Sequence, residues 1–227
     1  MTGVEELAKR DEGFAGIVSA YGPPPLWERE EGFHTLIHII LEQQVSLASA
    51  KAAYTKLQQA INPLAPENFL TLNDENLRQI GFSRQKMRYG RALACAIMDQ
   101  SLDLTGLSEL DDREAKARLM TVKGIGPWTA DIYLLMALGR PDIWPKGDLA
   151  LEVAFQRLKG LPKKPTWEEI KAASNAWKPL RAVAARLLWH FYLCGQKKGW
   201  PSNTFFVKNK DWQGPEERCR RTTGPPF

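Results

Sequence analysis

"TVKGIGPWTADIY", residues 121–133, sets two glycines and a proline directly before an apolar run with helical spacing. The hexapeptide "VKGIGP" is too short for a Walker loop and lacks its Gly-Lys-Ser/Thr ending. It follows "DDREAKARLM", which reads as a helix and not a strand, so a dinucleotide fingerprint fails on context. What remains is helix, tight turn, helix. Gly124 and Gly126 can take positive φ or let another backbone come close. Ile125 between them can plug the turn into the core, and Pro127 suits the first position of the second helix. The free amides of that helix start, with its dipole, favour a phosphate oxygen. Two readings stay open from these residues alone. One is a helix-hairpin-helix that grips a DNA backbone without reading sequence. The other is an ordinary glycine-rich corner between two helices.

Outward from the turn, the chain reads as helix after helix. A first helix is expected over 4–20, stopped by "YGPPP", and a second over 31–42, "EGFHTLIHIILE". Ser46 caps 47–61, and Gly81 ends the short "NDENLRQIG". Ser83 caps "RQKMRYGRALACAIMDQ". Beyond the turn, Gly139 and Pro141 close a helix, Asp148 opens 149–158, and "TWEE" at 166–169 is a capping box. The last helix starts at Pro179 and stops at Gly195. This makes about ten helices, no convincing strand and no repeat: an all-α protein.

The 227 residues suffice for one domain or two small lobes. A net charge of +5 and a pI near 9.1 permit a nucleic-acid partner without requiring one. No apolar run approaches the roughly 20 residues of a membrane span, and "MTGVEELAKRDEG" has no signal core, so export is not expected. Cys95, Cys194 and Cys219 have neither metal-ligand spacing nor that of a disulfide framework, which fits a reducing cytoplasm.

The longer stretch "TVKGIGPWTADIYLLMALGRPDIWPKGDLAL" resembles the helix-hairpin-helix DNA glycosylase superfamily, whose signature is this hairpin, a Gly/Pro-rich loop and one aspartate. "IILEQQVSLASA" is similar to the wedge-bearing segment of alkylpurine glycosylases, "WKPLRAVAARLLWHFY" to their last core helix, and "GPPPLWEREEGFHTLI" to the approach to that core. The likeness runs from about residue 20 to residue 195 and is strongest to bacterial enzymes of the 3-methyladenine DNA glycosylase II type. The chain differs from them in having too few residues before the core for their N-terminal β-rich domain. It also lacks the four clustered cysteines of the superfamily's iron–sulfur branch.

The resemblance implies two helical lobes with an active-site cleft between them. Residues 32–140 would form a central bundle with wedge and hairpin. Residues 1–31 plus 141–227 would form the second lobe, its tail poorly ordered from about 205. Asp148 stands where the family keeps its catalytic aspartate; read alone, it is an N-cap, and the two roles are compatible. Asp131 and Asp142 are nearby decoys. Gln44 takes the wedge position. Gln43, Trp128 and Trp189 would line the base pocket, with His34 and Tyr133 as minor candidates; the plainer reading of both tryptophans is core packing. Val122, Gly124, Ile125, Gly126 and Thr129 would present backbone to DNA. Trp128 holds the position of the lysine with which bifunctional relatives attack the sugar, and an indole forms no Schiff base.

The expected protein is therefore a monofunctional DNA glycosylase of base excision repair. It would remove alkylated purines from double-stranded DNA after base flipping. A cationic purine suits an indole face. No cofactor and no metal is required, though the carbonyls of Thr121, Val122 and Gly124 could hold Na+ or K+. A cytoplasmic, nucleoid-associated monomer that binds damaged duplex DNA and no membrane fits this reading. The alternatives are a glycosylase of the same superfamily for deaminated or oxidised bases, and a non-catalytic module that binds damaged DNA.

Overall fold

In the computed structural model, residues 2–198 are described, so the expectation for the tail from about 205 lies outside them. Helix α1 spans Gly3–Arg10, α2 Glu12–Tyr21, α3 Phe33–Glu42, α4 Leu47–Ala60, α5 Pro66–Thr71 and α6 Asp74–Ile80. Then come α7 at Arg84–Met98, α8 at Asp112–Met120, α9 at Pro127–Met136, α10 at Leu149–Leu158, α11 at Trp167–Ser174 and α12 at Arg181–Lys198. Two short 3-10 segments cover Thr105–Glu109 and Asn175–Trp177, and there is no strand among the described residues. No described helix is long and apolar enough to cross a membrane.

The chain divides into two compact units. Among the described residues, one joins 2–27 with 141–198, and the other is Glu28–Arg140. The second unit starts at Glu28 rather than at 32 because Arg29 belongs to it. Its amide donates to Met136 O at 3.0 Å, and its guanidinium holds Glu42.

The terminal unit is built around Trp177. Its ring lies against Phe14, Trp144 and Phe155 at centroid distances of 5.0, 5.5 and 6.0 Å. Its indole N–H donates to Asp11 Oδ2 at 3.1 Å. That bond explains why the single helix expected over 4–20 is two. Asp11 leaves the helical region, at φ −137° and ψ 114°, and caps α2 through Gly13 N–H. The same carboxylate accepts from Lys159 Nζ at 2.8 Å. Helix α12 continues through Gly195, a buried residue with no chain break to serve. Cys194 on α12 is buried, with its sulfur 3.9 Å from His190 Nδ1 one turn earlier on the same helix.

In the central unit, α3 is the axis. Eight of its ten residues are buried, from Phe33 to Glu42. Around it lie α4, α7 and α9, with α5 on α7. Helix α5 has only six residues and escaped the periodicity reading; Pro66 at its first turn starts it. Its Phe69 fits beside Gly90 of α7, where an added Cβ would lie 2.6 Å from the phenyl ring and 3.3 Å from Ile37 Cδ1. Overfilling such a site costs about 1–3 kcal/mol. Gly90→Ala should therefore lower the unfolding free energy by that amount, read as a lower denaturant midpoint with an unchanged slope.

Candidate active site

The hairpin joins α8 to α9 through residues 121–126. Lys116 of α8 and Asp131 of α9 clip the two helices together at 2.5 Å, with Asp131 fully enclosed. Val122 and Ile125 are buried at 6% and 4% exposure, and Ile125 N–H donates to Val122 O, so the turn is plugged into the core as expected. The two glycines have different reasons. Gly124 has φ +102°, and a Cβ there would sit 2.2 Å from the Tyr89 ring. Gly126 has an ordinary φ of −88° and nothing within 4 Å of a built Cβ. It keeps open space at the start of α9, a helix with no side-chain cap. Its first amides have no acceptor within the helix itself.

The glutamines end α3. Gln43 does not end in an open pocket: its amide nitrogen donates to Gly124 O and to Thr129 Oγ1, each at 3.0 Å. Thr129, 2% exposed, thus spends its hydroxyl inside the protein. Two of the three carbonyls expected to be able to hold Na+ or K+ each accept one hydrogen bond within the protein. Val122 O accepts from Ile125 N–H, and Gly124 O is turned to the Gln43 amide. Gln44 is exposed and has φ +57°, a left-handed backbone that non-glycine residues rarely adopt. Trp128 stands half-buried at the second position of α9, after Pro127.

Tyr133 is wholly buried, and its hydroxyl accepts from Gly32 N–H at 2.9 Å, tying α9 to the start of α3. Burial pushes its pKa up to about 12. That makes it a core residue and not a pocket wall. His34 is half-buried with Nε2 3.7 Å from the exposed Glu30 carboxylate. His38 stacks on Tyr54 at 4.1 Å and 7°. The described residues contain no cluster of three His, Cys, Asp or Glu side chains that could hold a metal.

In the terminal unit, Asp148 is 2% exposed and is the N-cap of α10. Its Oδ1 accepts from Leu151 N–H at 2.9 Å and from the Trp189 indole N–H at 3.3 Å. Trp189 is therefore not an open pocket wall: it has no exposed surface and orients the carboxylate. Leu149, the next residue, is 61% exposed. The decoy Asp142 is held bidentate by Arg181 at 2.8 Å on each arm. Arg186 is buried and donates to Leu26 O. Lys146 is exposed with Nζ 5.0 Å over the Trp167 ring, and Lys123 is exposed in the turn.

Trp27 lies in the stretch "GPPPLWEREEGFHTLI". In the structure it has φ +49°, remains half-exposed and meets Trp189 edge-on at 6.5 Å. The preceding "GPPP" signals a rigid bend, but no pattern shows which aromatic the bend will deliver next to the aspartate's partner.

A hairpin with one obligatory and one open glycine, an exposed glutamine with left-handed backbone and a buried, helix-capping aspartate occur on one chain. A family model for HhH-GPD superfamily base excision DNA repair proteins matches residues 37–179. The chain belongs to that superfamily. It is 30% identical over 193 residues to DNA-3-methyladenine glycosylase 1 of Schizosaccharomyces pombe, covering 83% of each chain. The solved structure of the S. pombe 3-methyladenine DNA glycosylase Mag1 in complex with abasic DNA superposes with a TM-score of 0.77 at 28% identity, over 84% of this chain and 96% of that one. A DNA-3-methyladenine glycosidase from Bacillus halodurans gives a TM-score of 0.70 at 28% identity, over 85% and 89%.

Two outcomes follow from the geometry. Gly124→Ala meets both a forbidden backbone and the Tyr89 ring, so chemical denaturation should show a loss of about 1–3 kcal/mol. Gly126→Ala should leave stability within about 0.5 kcal/mol. His38 has its pKa lowered from 6.5 to about 4 by burial, with Arg29 and His34 adding to the effect. The unfolded chain therefore binds a proton that the folded chain refuses. Stability should be complete above pH 6.5 and fall as the pH drops toward 4, and His38→Gln should flatten that slope.

Proposed function

We propose that the protein is a monofunctional DNA glycosylase of base excision repair that hydrolyses the N-glycosidic bond of alkylated purines in duplex DNA. The observation that carries this reading is Asp148, a carboxylate buried at a helix start and pinned by two N–H donors. A capping aspartate alone does not need an indole from another helix to fix its plane. A carboxylate that must face developing positive charge on a sugar does.

The parts then divide the work. The backbone amides of the hairpin and the start of α9 hold a phosphate, and the open space at Gly126 admits it. Gln44 fills the hole left when a nucleotide leaves the stack. Gln43, by holding Gly124 O and Thr129, supports the hairpin rather than the base. Trp128 offers a π face to a cationic purine, whose positive charge already makes it a good leaving group. Asp148 stabilises the oxocarbenium-like sugar or orients the attacking water, with Trp189 as its positioning residue. Trp128 cannot attack the sugar as an amine, so the strand stays intact at an abasic site. The names of the fungal and bacterial relatives support the alkylpurine substrate, and the Mag1 complex supports DNA as the partner.

Duplexes each holding one 3-methyladenine, 7-methylguanine, hypoxanthine, uracil or 8-oxoguanine test this. Wild type should release the methylated purines and leave strands uncut until alkali is added, and borohydride should trap no covalent complex. Asp148→Asn should lose at least about a thousandfold in rate, by analogy with other electrostatic catalytic groups, while still binding abasic-site DNA. Full activity in that variant, or release of none of the bases by wild type, would sink the proposal.

A further inference from the structure

Glu42 puts a negative charge at the C-terminal end of α3, where the helix dipole opposes it, and its side chain is only 2% exposed. Arg29, itself 12% exposed, grips both carboxylate oxygens at 2.7 and 3.0 Å. A buried ion pair adds little net stability over apolar residues of the same size, so its presence calls for a geometric reason. The neighbouring residues supply one. Leu41 O accepts from Lys86 Nζ of α7 at 2.7 Å. Gln43 is tied to Gly124 and Thr129. Arg29 is tied by its own amide to Met136 at the end of α9. Three successive residues are thus fixed to three separate places, and the next is Gln44 with its left-handed φ of +57°. Strained backbone of this kind persists only where its surroundings over-determine it.

We propose that the Arg29–Glu42 pair is a positioning clamp that pre-sets the Gln44 backbone, so that the wedge stands ready before DNA arrives. The inference rests on Gln44 being the wedge. A preset wedge lowers the cost of ordering the segment on the duplex. The gain exists only where there is a base stack to enter and a hole to fill. A lesion that is already unpaired needs it much less.

The test compares single-turnover excision of 7-methylguanine paired with cytosine against the same lesion opposite an abasic gap. Glu42→Gln keeps the size and removes the charge. Arg29→Met with Glu42→Leu replaces the pair by apolar residues, which keeps the fold if the single variant unfolds. Both should lose about tenfold on the paired lesion, the rate equivalent of the left-handed strain being held. On the gapped lesion the loss should be under about threefold, and in a Gln44→Ala background Glu42→Gln should cost nothing further. Equal losses on both substrates, or additive effects with Gln44→Ala, would overturn the clamp. Failure of wild type on both substrates would instead overturn the glycosylase reading, so the two failures are distinguishable.

Discussion

A carboxylate taken out of water must find hydrogen bonds or give up its charge, and at Asp148 that constraint organises the terminal unit. The Leu151 amide is supplied by the start of α10, and the indole N–H by Trp189 on α12. The indole can reach only because α12 carries it past α10, buried on all sides. Trp27 then packs against that indole, held by a bend whose Leu26 carbonyl accepts from Arg186. Cap, tryptophan, bend and buried arginine are links in one chain of support for a single acidic group.

The central unit answers the same constraint twice more and adds a tie through a neutral amide, and each fixes a part that faces DNA in the proposed function. Asp131 is enclosed and clipped to Lys116, which holds the hairpin shut. Glu42 is enclosed and gripped by Arg29, ahead of the strained Gln44. The Gln43 amide satisfies Gly124 O and Thr129, so the residue before Gln44 is tied to the hairpin turn. Polar groups that look idle in a sequence are here the joints between rigid parts. Membership in a family of DNA repair proteins and the relatives' names agree with the chemistry these joints support.

Much was legible beforehand, for local reasons. Caps at Ser46, Ser83 and Thr166, and the left-handed stop at Gly81, depend on neighbours within a few residues, and all are present in the structure. The hairpin was legible because glycine and proline act on their own backbone. Helix α5 was missed because six residues hold too little periodicity. The split at Asp11 was missed because the reward for breaking the helix comes from Trp177 and Lys159, far along the chain.

The sequence by itself determined the all-α class, the hairpin, the cap at Asp148 and the absence of an amine where Trp128 stands, since each follows from residue type and short-range backbone preference. Only the tertiary structure decided what the polar side chains do. It turned Gln43 from a pocket residue into a tie and Trp189 from an open wall into the holder of Asp148. It placed Tyr133 in the core and gave Gly124 and Gly126 unlike roles. Each depends on which distant atom arrives within hydrogen-bonding or van der Waals distance, and that is set by how helices pack.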